Sequence, residues 1–365
     1  MVIEESSVVA AASNAAKYWS TRGGFKARVI STIKEGCIYF MWPGDFKQLT
    51  LHLSDLDAKI RLASADITAN METRGGGILK IEFIDMNDEE PGFKKLNIQF
   101  DTCNSMGANF INSVLENAAI VLKQWFEFHK LQAEGQDNFE IIMSILTNYT
   151  PQCLVEAYVE CPIDQLTDIS GLDPVSFADR FYKAVRIANV DVSRATTHNK
   201  GIFNGIDAVV IATGNDYRAI EACGHAYAAK SGQYRSLSNC TLDNGIFKFS
   251  ITVPLALGTV GGLTTLHPMA KRSLELLGNP SAKELMMIVA ATGLAQNFGA
   301  VRSLVTTGIQ KGHMRMHLQN MLWQMKVTPE ENLAVNDHFA DKTISYAGVR
   351  DYLEEMRNRP TLIKD

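Results

Sequence analysis

The sequence predicts an α+β protein: a large mixed α/β domain, a small ferredoxin-like domain inserted into it, and a C-terminal helical flap. Three observations carry this. Between about residues 25 and 148 the apolar patterning runs strand–helix–strand–strand–helix–strand, the split βαβ order. From 149 to 311 helical stretches are mixed with β-rich ones such as "AVVIAT" and "FKFSITVPL". After Gly312 the chain is helical and charged to its end. The large domain is therefore expected over 1–24 and 149–311, the small one over 25–148 and the flap over 312–365. A chain of 365 residues holds two domains with a core that needs no disulfide staples.

Residues 5–20, "ESSVVAAASNAAKYWS", are alanine-rich, with an acid and serines where a helix N-terminus favours them, and Gly23-Gly24 ends the run. "ARVISTIKEGCIYFMW" reads as a hairpin turning at Lys34-Glu35-Gly36. "LHLSDLDAKIRLASADITANM" reads as helix, "GGGILKIEFIDM" and "KKLNIQFDT" as strands, "NSMGANFINSVLENAAIVLKQWFEF" as a long helix and "NFEIIMSIL" as the closing strand. "IDAVVIATG" and "LMMIVAATGLA" read as buried strand or core helix. Both fall short of the roughly 18–20 apolar residues that cross a membrane.

Net charge is −5 and the pI about 5.9, which excludes a broad nucleic-acid surface. The six cysteines (37, 103, 153, 161, 223, 240) have no CxxC and no regular spacing, as in a reduced, cytoplasmic protein. Acids at Glu4 and Glu5 and the lack of a basic n-region argue against a signal peptide.

Several stretches could carry chemistry. "QKGHMRMHLQN" sets His313 and His317 four apart, the spacing of a zincin helix. The intervening Met314-Arg315-Met316 puts a cation between the ligands and no carboxylate in the general-base slot, so no metal site is expected. Two structural histidines, or a lone general acid at His313, remain. In "SRATTHNKGIFNGIDAVVIATGNDYRAIEACGHAYAAKSG", Arg194, Lys200, Asp216 and Arg218 flank what reads as a buried strand. That placing suits a carboxylate- or phosphate-bearing ligand, the plain alternative being surface cations. Cys223 could be a nucleophile beside His225, although near neighbours on a helix do not face each other. "DTCNSMGANFINSVLE" is a strand, a small-residue turn and a helix N-terminus that would suit a pyrophosphate, without the G-x-G-x-x-G fingerprint. "LGTVGGLTTL" (257–266) is a second glycine-rich turn of the same kind.

Taken together, "EESSVVAAAS", "SRATTHNKGIFNGIDAVVIATGNDYRAIEA", "GTVGG", "GLAQNFGAVRSLVT" and "GIQKGHM" resemble, in this order, the 3-hydroxy-3-methylglutaryl-CoA (HMG-CoA) reductases of the soluble bacterial type (class II). The resemblance spans essentially the whole chain. It implies four-electron reduction of HMG-CoA to mevalonate and free CoA by two NADH or NADPH, NADH slightly preferred, or the reverse oxidation. It makes the large domain the CoA-ester binder and the small one the nicotinamide binder. Glu5, Lys200, Asp216 and His313 fall on the catalytic positions, and Ser7, Arg194, Asn204 and Gln296 on contacts to the hydroxymethylglutaryl group. Asn104, Met106, Gly107 and Asn109, with Val260 and Gly261, fall on the cofactor contacts.

The residue types suit the chemistry. Lys200 can stabilise the oxyanion made by hydride attack, with Asp216 beside it to hold its charge. A CoA thiol with a pKa of about 8.5 leaves as thiolate, which an imidazolium of pKa near 6.5 at His313 can protonate. Glu5, raised by burial, can supply the second proton. The resemblance further implies a homodimer, or a larger even-numbered oligomer, with sites between subunits. Against the family's pattern, Ser6 replaces a proline and Asn104 an aspartate, and the chain starts at the Glu5 motif where relatives carry a further N-terminal helical segment. The other readings are a thiolase-like acyl-CoA transferase using Cys223, or an inactive shortened paralogue that only binds CoA esters.

Overall fold

A computed structural model describes residues 1–129, 131, 139–167, 169, 171–306, 308, 318–340 and 342–358. Two four-stranded antiparallel sheets organise them. The smaller layer contains β2 (Lys34–Met41), the short helices α2 (Phe46–Leu51), α3 (Leu53–Ala63) and α4 (Ala65–Glu72), then β3 (Gly77–Asp85), β4 (Phe93–Asp101), α5 (Ala108–Phe128) and β5 (Glu140–Leu146). Its strand order, β3-β4-β2-β5, is that of the ferredoxin-like arrangement. Alternation on β2 and β4 buries Ile38, Phe40, Leu96, Ile98 and Phe100. The face of α5 carrying Ile111, Leu115, Leu122 and Trp125 closes over them.

The larger layer has the order β1-β6-β8-β7, with β1 (Lys26–Val29), β6 (Leu154–Pro162), β7 (Ser238–Asp243) and β8 (Ile246–Pro254). On it pack α1 (Ser6–Ser20), α6 (Pro174–Val190), α7 (Val192–Ala212), α8 (Tyr217–Ala228) and α11 (Ala282–Val305). Two short helices, α9 (Leu263–Leu266) and α10 (Pro268–Leu276), precede α11. Trp19, Phe181, Phe247, Phe249 and Phe298 join helices to sheet in one aromatic cluster. α11 is long and apolar enough to cross a membrane, but it runs through this core and is mostly buried there. Beyond residue 317, helical residues 318–324 and two helices, Pro329–His338 and Tyr346–Asn358, form a small core of their own around Leu322, Val335 and Leu353.

Three expectations are corrected. The hairpin at Lys34-Glu35-Gly36 does not form. β1 pairs with β6 from Lys26↔Tyr158 to Val29↔Val155, while β2 belongs to the other sheet. The connection is tied to β6, since Ile30 and Ser31 N–H both donate to the Leu154 carbonyl (2.8 and 3.2 Å) and Leu154 N–H returns a bond to Ser31 (2.9 Å). The helix over 51–71 is two short ones, α3 and α4, preceded by α2, which ends at Leu51. "AVVIAT" is the last turns of α7, not a strand. Most of the run, Ala208, Val209 and Val210, is buried because α7 packs against α6, α8, α10 and α11, and with consecutive residues buried periodicity no longer tells helix from strand.

Candidate active site

Asp191 starts α7 by accepting from the N–H groups of Ser193 (3.2 Å) and Arg194 (3.1 Å). From there Arg194, Thr197, His198, Gly201 and Asn204 recur at helical spacing along one face. Together with Lys200, Glu5 and Ser7 at the start of α1, and Gln296, Asn297 and Arg302 on α11, they line a cleft of about 390 Å³. Six of the residues singled out in the sequence, Glu5, Ser7, Arg194, Lys200, Asn204 and Gln296, thus meet in one place.

The cleft is cationic and its buried polar wall has capacity left over. The Arg194 guanidinium lies 3.4 Å from Nδ1 of His198, whose Nε2 is 2.6 Å from Ser238 Oγ. Arginine can only donate, so Nδ1 accepts and Nε2–H donates to the serine. Burial, helped by Arg194, pushes His198 down to about 3, so this imidazole is neutral and serves as a rigid support. Burial also lowers the pKa of Arg194 and of Arg302, which donates to Asn14 Oδ1 (3.0 Å). Neither has a carboxylate partner among the described residues. On α11, Gln296 Oε1 and Asn297 Oδ1 are buried with no hydrogen-bond partner among the described residues. Both oxygens are also shut off from solvent, so they are buried acceptors behind the cleft wall whose hydrogen bonds no described residue completes.

A second pocket, of about 440 Å³, lies at the N-terminus of α5. Met106, Gly107 and Asn109 line it with Val260, Gly261 and Asp216. Gly107 caps α5 in a left-handed conformation (φ 93°), leaving the first N–H groups of a 21-residue helix directed at the pocket. Asn104 is engaged elsewhere. Its carbonyl accepts from Thr259 N–H (2.8 Å) and Val260 N–H (3.3 Å), and its Oδ1 accepts from Ala282 N–H at the start of α11 (2.9 Å). This residue clamps the turn to the large layer and is not part of the pocket lining.

Lys200 and Asp216 do not meet within one chain. Lys200 is on the third turn of α7 and exposed, whereas Asp216 follows that helix's C-terminus, roughly 20 Å along the axis at 1.5 Å per residue. Asp216 caps α8, accepting from Arg218 N–H (3.0 Å) and Ala219 N–H (3.3 Å). The Arg218 guanidinium at 3.2 Å holds its carboxyl below the ordinary range. His313 and His317 lie outside the described residues.

Cys223 is not a nucleophile of this fold. It is 3% exposed, accepts from Thr150 N–H (3.3 Å), and burial pushes its thiol up. His225 is turned to Tyr234 Oη instead (2.7 Å). The sequence reading passed over His198, Asn297, Arg302 and Asn14. A signal was there for Asn297, since Gln296-Asn297 are adjacent amides in an otherwise apolar helix.

The sequence model of the hydroxymethylglutaryl-coenzyme A reductases matches residues 1–318. The 3-hydroxy-3-methylglutaryl-coenzyme A reductase of Archaeoglobus fulgidus is 34% identical over 363 residues, covering 98% of this chain and 78% of the relative. A protein of Borreliella burgdorferi described as "Probable 3-hydroxy-3-methylglutaryl-coenzyme A reductase" is 34% identical over 324 residues, 88% of this chain and 71% of its own. Among solved structures, the class II reductase of Streptococcus pneumoniae bound to NADPH in open conformations superposes with a TM-score of 0.75 at 38% identity, over 84% of this chain and 80% of that one. A second structure of the Streptococcus pneumoniae enzyme gives 0.74 at 35% identity, over 98% and 82%. The chain belongs to the hydroxymethylglutaryl-coenzyme A reductase family and has the fold of its class II enzymes.

Proposed function

We propose that this chain reduces HMG-CoA to mevalonate and free CoA with two reduced nicotinamides, in active sites completed between two copies. The observation that carries the reading is the division of the site. The cationic cleft lies at one end of α7, and the glycine-lined pocket with Asp216 at the other. In a symmetric dimer the Lys200 end of one copy can face the Asp216 end of its partner. Exposed apolar side chains around the second pocket, Leu263, Leu266 and Met269 at 60, 79 and 67% exposure, fit a surface that a second copy covers.

The glycine pocket suits a dinucleotide: a long helix presents free N–H groups, and in loop 258–262 Gly258, Gly261 and Gly262 bring backbone to the pocket. When bound there, the nicotinamide supplies the hydride. Among the described residues no lysine or arginine lines this pocket to pair with a 2′-phosphate, which favours NADH over NADPH. In the cleft, Arg194 pairs with the substrate carboxylate, and Gln296 Oε1 and Asn297 Oδ1 accept from its hydroxyl and from amide N–H. Lys200, desolvated once the partner closes over it, stabilises the oxyanion formed at the thioester carbonyl. Each reduction adds two electrons and calls for one proton, the first to the departing thiolate from His313 and the second to the alkoxide from Glu5. The enzyme works in solution in the cytoplasm.

The test is absorbance of the reduced nicotinamide on mixing purified protein with HMG-CoA and NADH or NADPH. Two cofactors consumed per thioester are expected, with the higher kcat/KM for NADH. A wild-type dimer that consumes neither refutes the reading.

A further inference from the structure

Lys34, which the sequence suggested as a turn residue, begins β2 with its side chain 4% exposed. Its ammonium donates to Thr102 Oγ1 (2.5 Å) and to the Ser105 carbonyl (2.8 Å), and has no ion pair among the described residues. Thr102 Oγ1 donates in turn to the same Ser105 carbonyl (2.7 Å), and Ser105 closes the loop on Thr102 through its N–H (2.9 Å) and its hydroxyl (3.1 Å). The ammonium is thus the centre of a knot that fixes the turn between β4 and α5.

That turn is one wall of the cofactor pocket. The Thr102 side chain fills the space under Gly107, where an added Cβ would come within 2.4 Å of Thr102 Cγ2. On the opposite side Gly258 lies so close that its own Cβ would come within 2.4 Å of Met106 N. Met106 and Ala108 border both the cofactor pocket and the small cavity, about 20 Å³, onto which Lys34 opens. A single layer of backbone therefore separates the ammonium from the pocket.

Burying an ammonium with neutral partners is expensive, and a methionine of similar length would hold the β2 end at lower cost. Burial does push the Lys34 pKa down, against the weaker pull of nearby Cys153 and Asp101. An ammonium behind a helix N-terminus adds to the positive end of the α5 dipole, where a dinucleotide's phosphates would sit.

We propose that Lys34 is a positioning residue for the nicotinamide cofactor: it locks the 102–107 turn into its binding shape and supplies positive charge behind the α5 N-terminus. The inference rests on the function proposed above. It separates Lys34 from the residues that touch ligand, because it acts only through Thr102 and Ser105. It also accounts for the position of Lys34 where the chain passes from one sheet to the other, which couples the cofactor turn to the joint between the layers.

The test uses the purified full chain and two titrations, NADH (and NADPH) by nucleotide fluorescence and HMG-CoA by calorimetry. Lys34→Met is expected to weaken nicotinamide binding about tenfold or more, the loss of a charge-assisted bond, with HMG-CoA affinity within about twofold of wild type. Lys34→Arg should recover part of the loss. Thr102→Val, which keeps the ammonium and removes the hydroxyl relay, should reproduce the selective loss and stands in should Lys34→Met not fold. Wild-type nicotinamide affinity in the folded variants, or equal losses for both ligands, overturns the inference alone. A wild-type chain that binds HMG-CoA but neither nucleotide overturns the functional reading and this inference with it.

Discussion

Asp207→Asn should stabilise the protein at neutral and alkaline pH. Asp207 sits in the last third of α7, 9% exposed, with Oδ1 lacking any hydrogen-bond partner among the described residues. Its other carboxyl oxygen is held by Glu221 of α8, and burial followed by the charge of Glu221 raises the Asp207 pKa to about 8. The sign follows from proton counts. Between the unfolded aspartate value of about 3.9 and the folded value, the folded chain keeps a proton that the unfolded chain releases, so stability falls as pH rises through that window and levels off above it. A rise from 3.8 to about 8 sets a ceiling of roughly 6 kcal/mol at about 1.36 kcal/mol per unit. Relaxation of the pair brings the expected gain to about half of that.

The amide keeps the shape of the side chain and cannot ionise. Its advantage over wild type should be near zero at pH 4, where both are neutral, and reach several °C in Tm by pH 8.5. Scanning calorimetry of both proteins from pH 4 to 9 measures this directly. Parallel Tm curves across the range would refute the argument, because they would mean that Asp207 is ionised in the fold and compensated.

Four further outcomes are expected. Gly258→Ala must push loop 257–262 off Met106 N, 2.4 Å from the new Cβ, so nicotinamide affinity should fall about tenfold or more with a Tm loss worth about 1–3 kcal/mol, and unchanged binding would refute the packing argument. Lys200→Ala should abolish reduction of both thioester and mevaldehyde, and substantial activity on either removes it as oxyanion partner. His313→Gln should impair thioester reduction far more than reduction of free mevaldehyde, since only the thioester releases a thiolate, and equal losses would contradict that role. Co-refolding Lys200→Ala with Asp216→Ala, each inactive alone, should restore about a quarter of wild-type activity, because half of randomly mixed dimers carry one intact site. Recovery of nothing would place both residues in a site formed by one chain.

What the sequence disclosed depended on how each element is exposed. The ferredoxin-like order was legible because the strands of that layer have one covered face, and alternation such as that burying Ile38 and Phe40 survives in the pattern. α5 was legible for the same reason, with its apolar stripe facing the sheet. The last turns of α7 were not, since Ala208, Val209 and Val210 are all buried and no polar face marks the period. β1 was misassigned because pairing with β6, more than a hundred residues later, leaves no local trace. Arg194 and Lys200 were legible as cations beside a buried run, with Asn204 added only by the family resemblance, while Lys34 has the look of any turn lysine although its ammonium lies under the 102–107 turn.

The misread segment continues the helix that lines the cleft, and the two facts have one cause. α7 and α11 cross so closely at Gly205 that a Cβ there would come within 2.7 Å of the Thr292 carbonyl and 2.9 Å of Gln296 Cβ. This contact puts Asn204, one residue before the crossing, on the same wall as Gln296 and Asn297. Past the crossing the helix is enclosed, so its polar face gives way to the apolar run that resembled a strand. A helix that must be polar where substrate binds and apolar where it passes through the core cannot keep one amphipathic pattern along its length. The change of pattern within α7 therefore marks where the helix leaves the core for the cleft, which its polar side, from Arg194 to Asn204, lines.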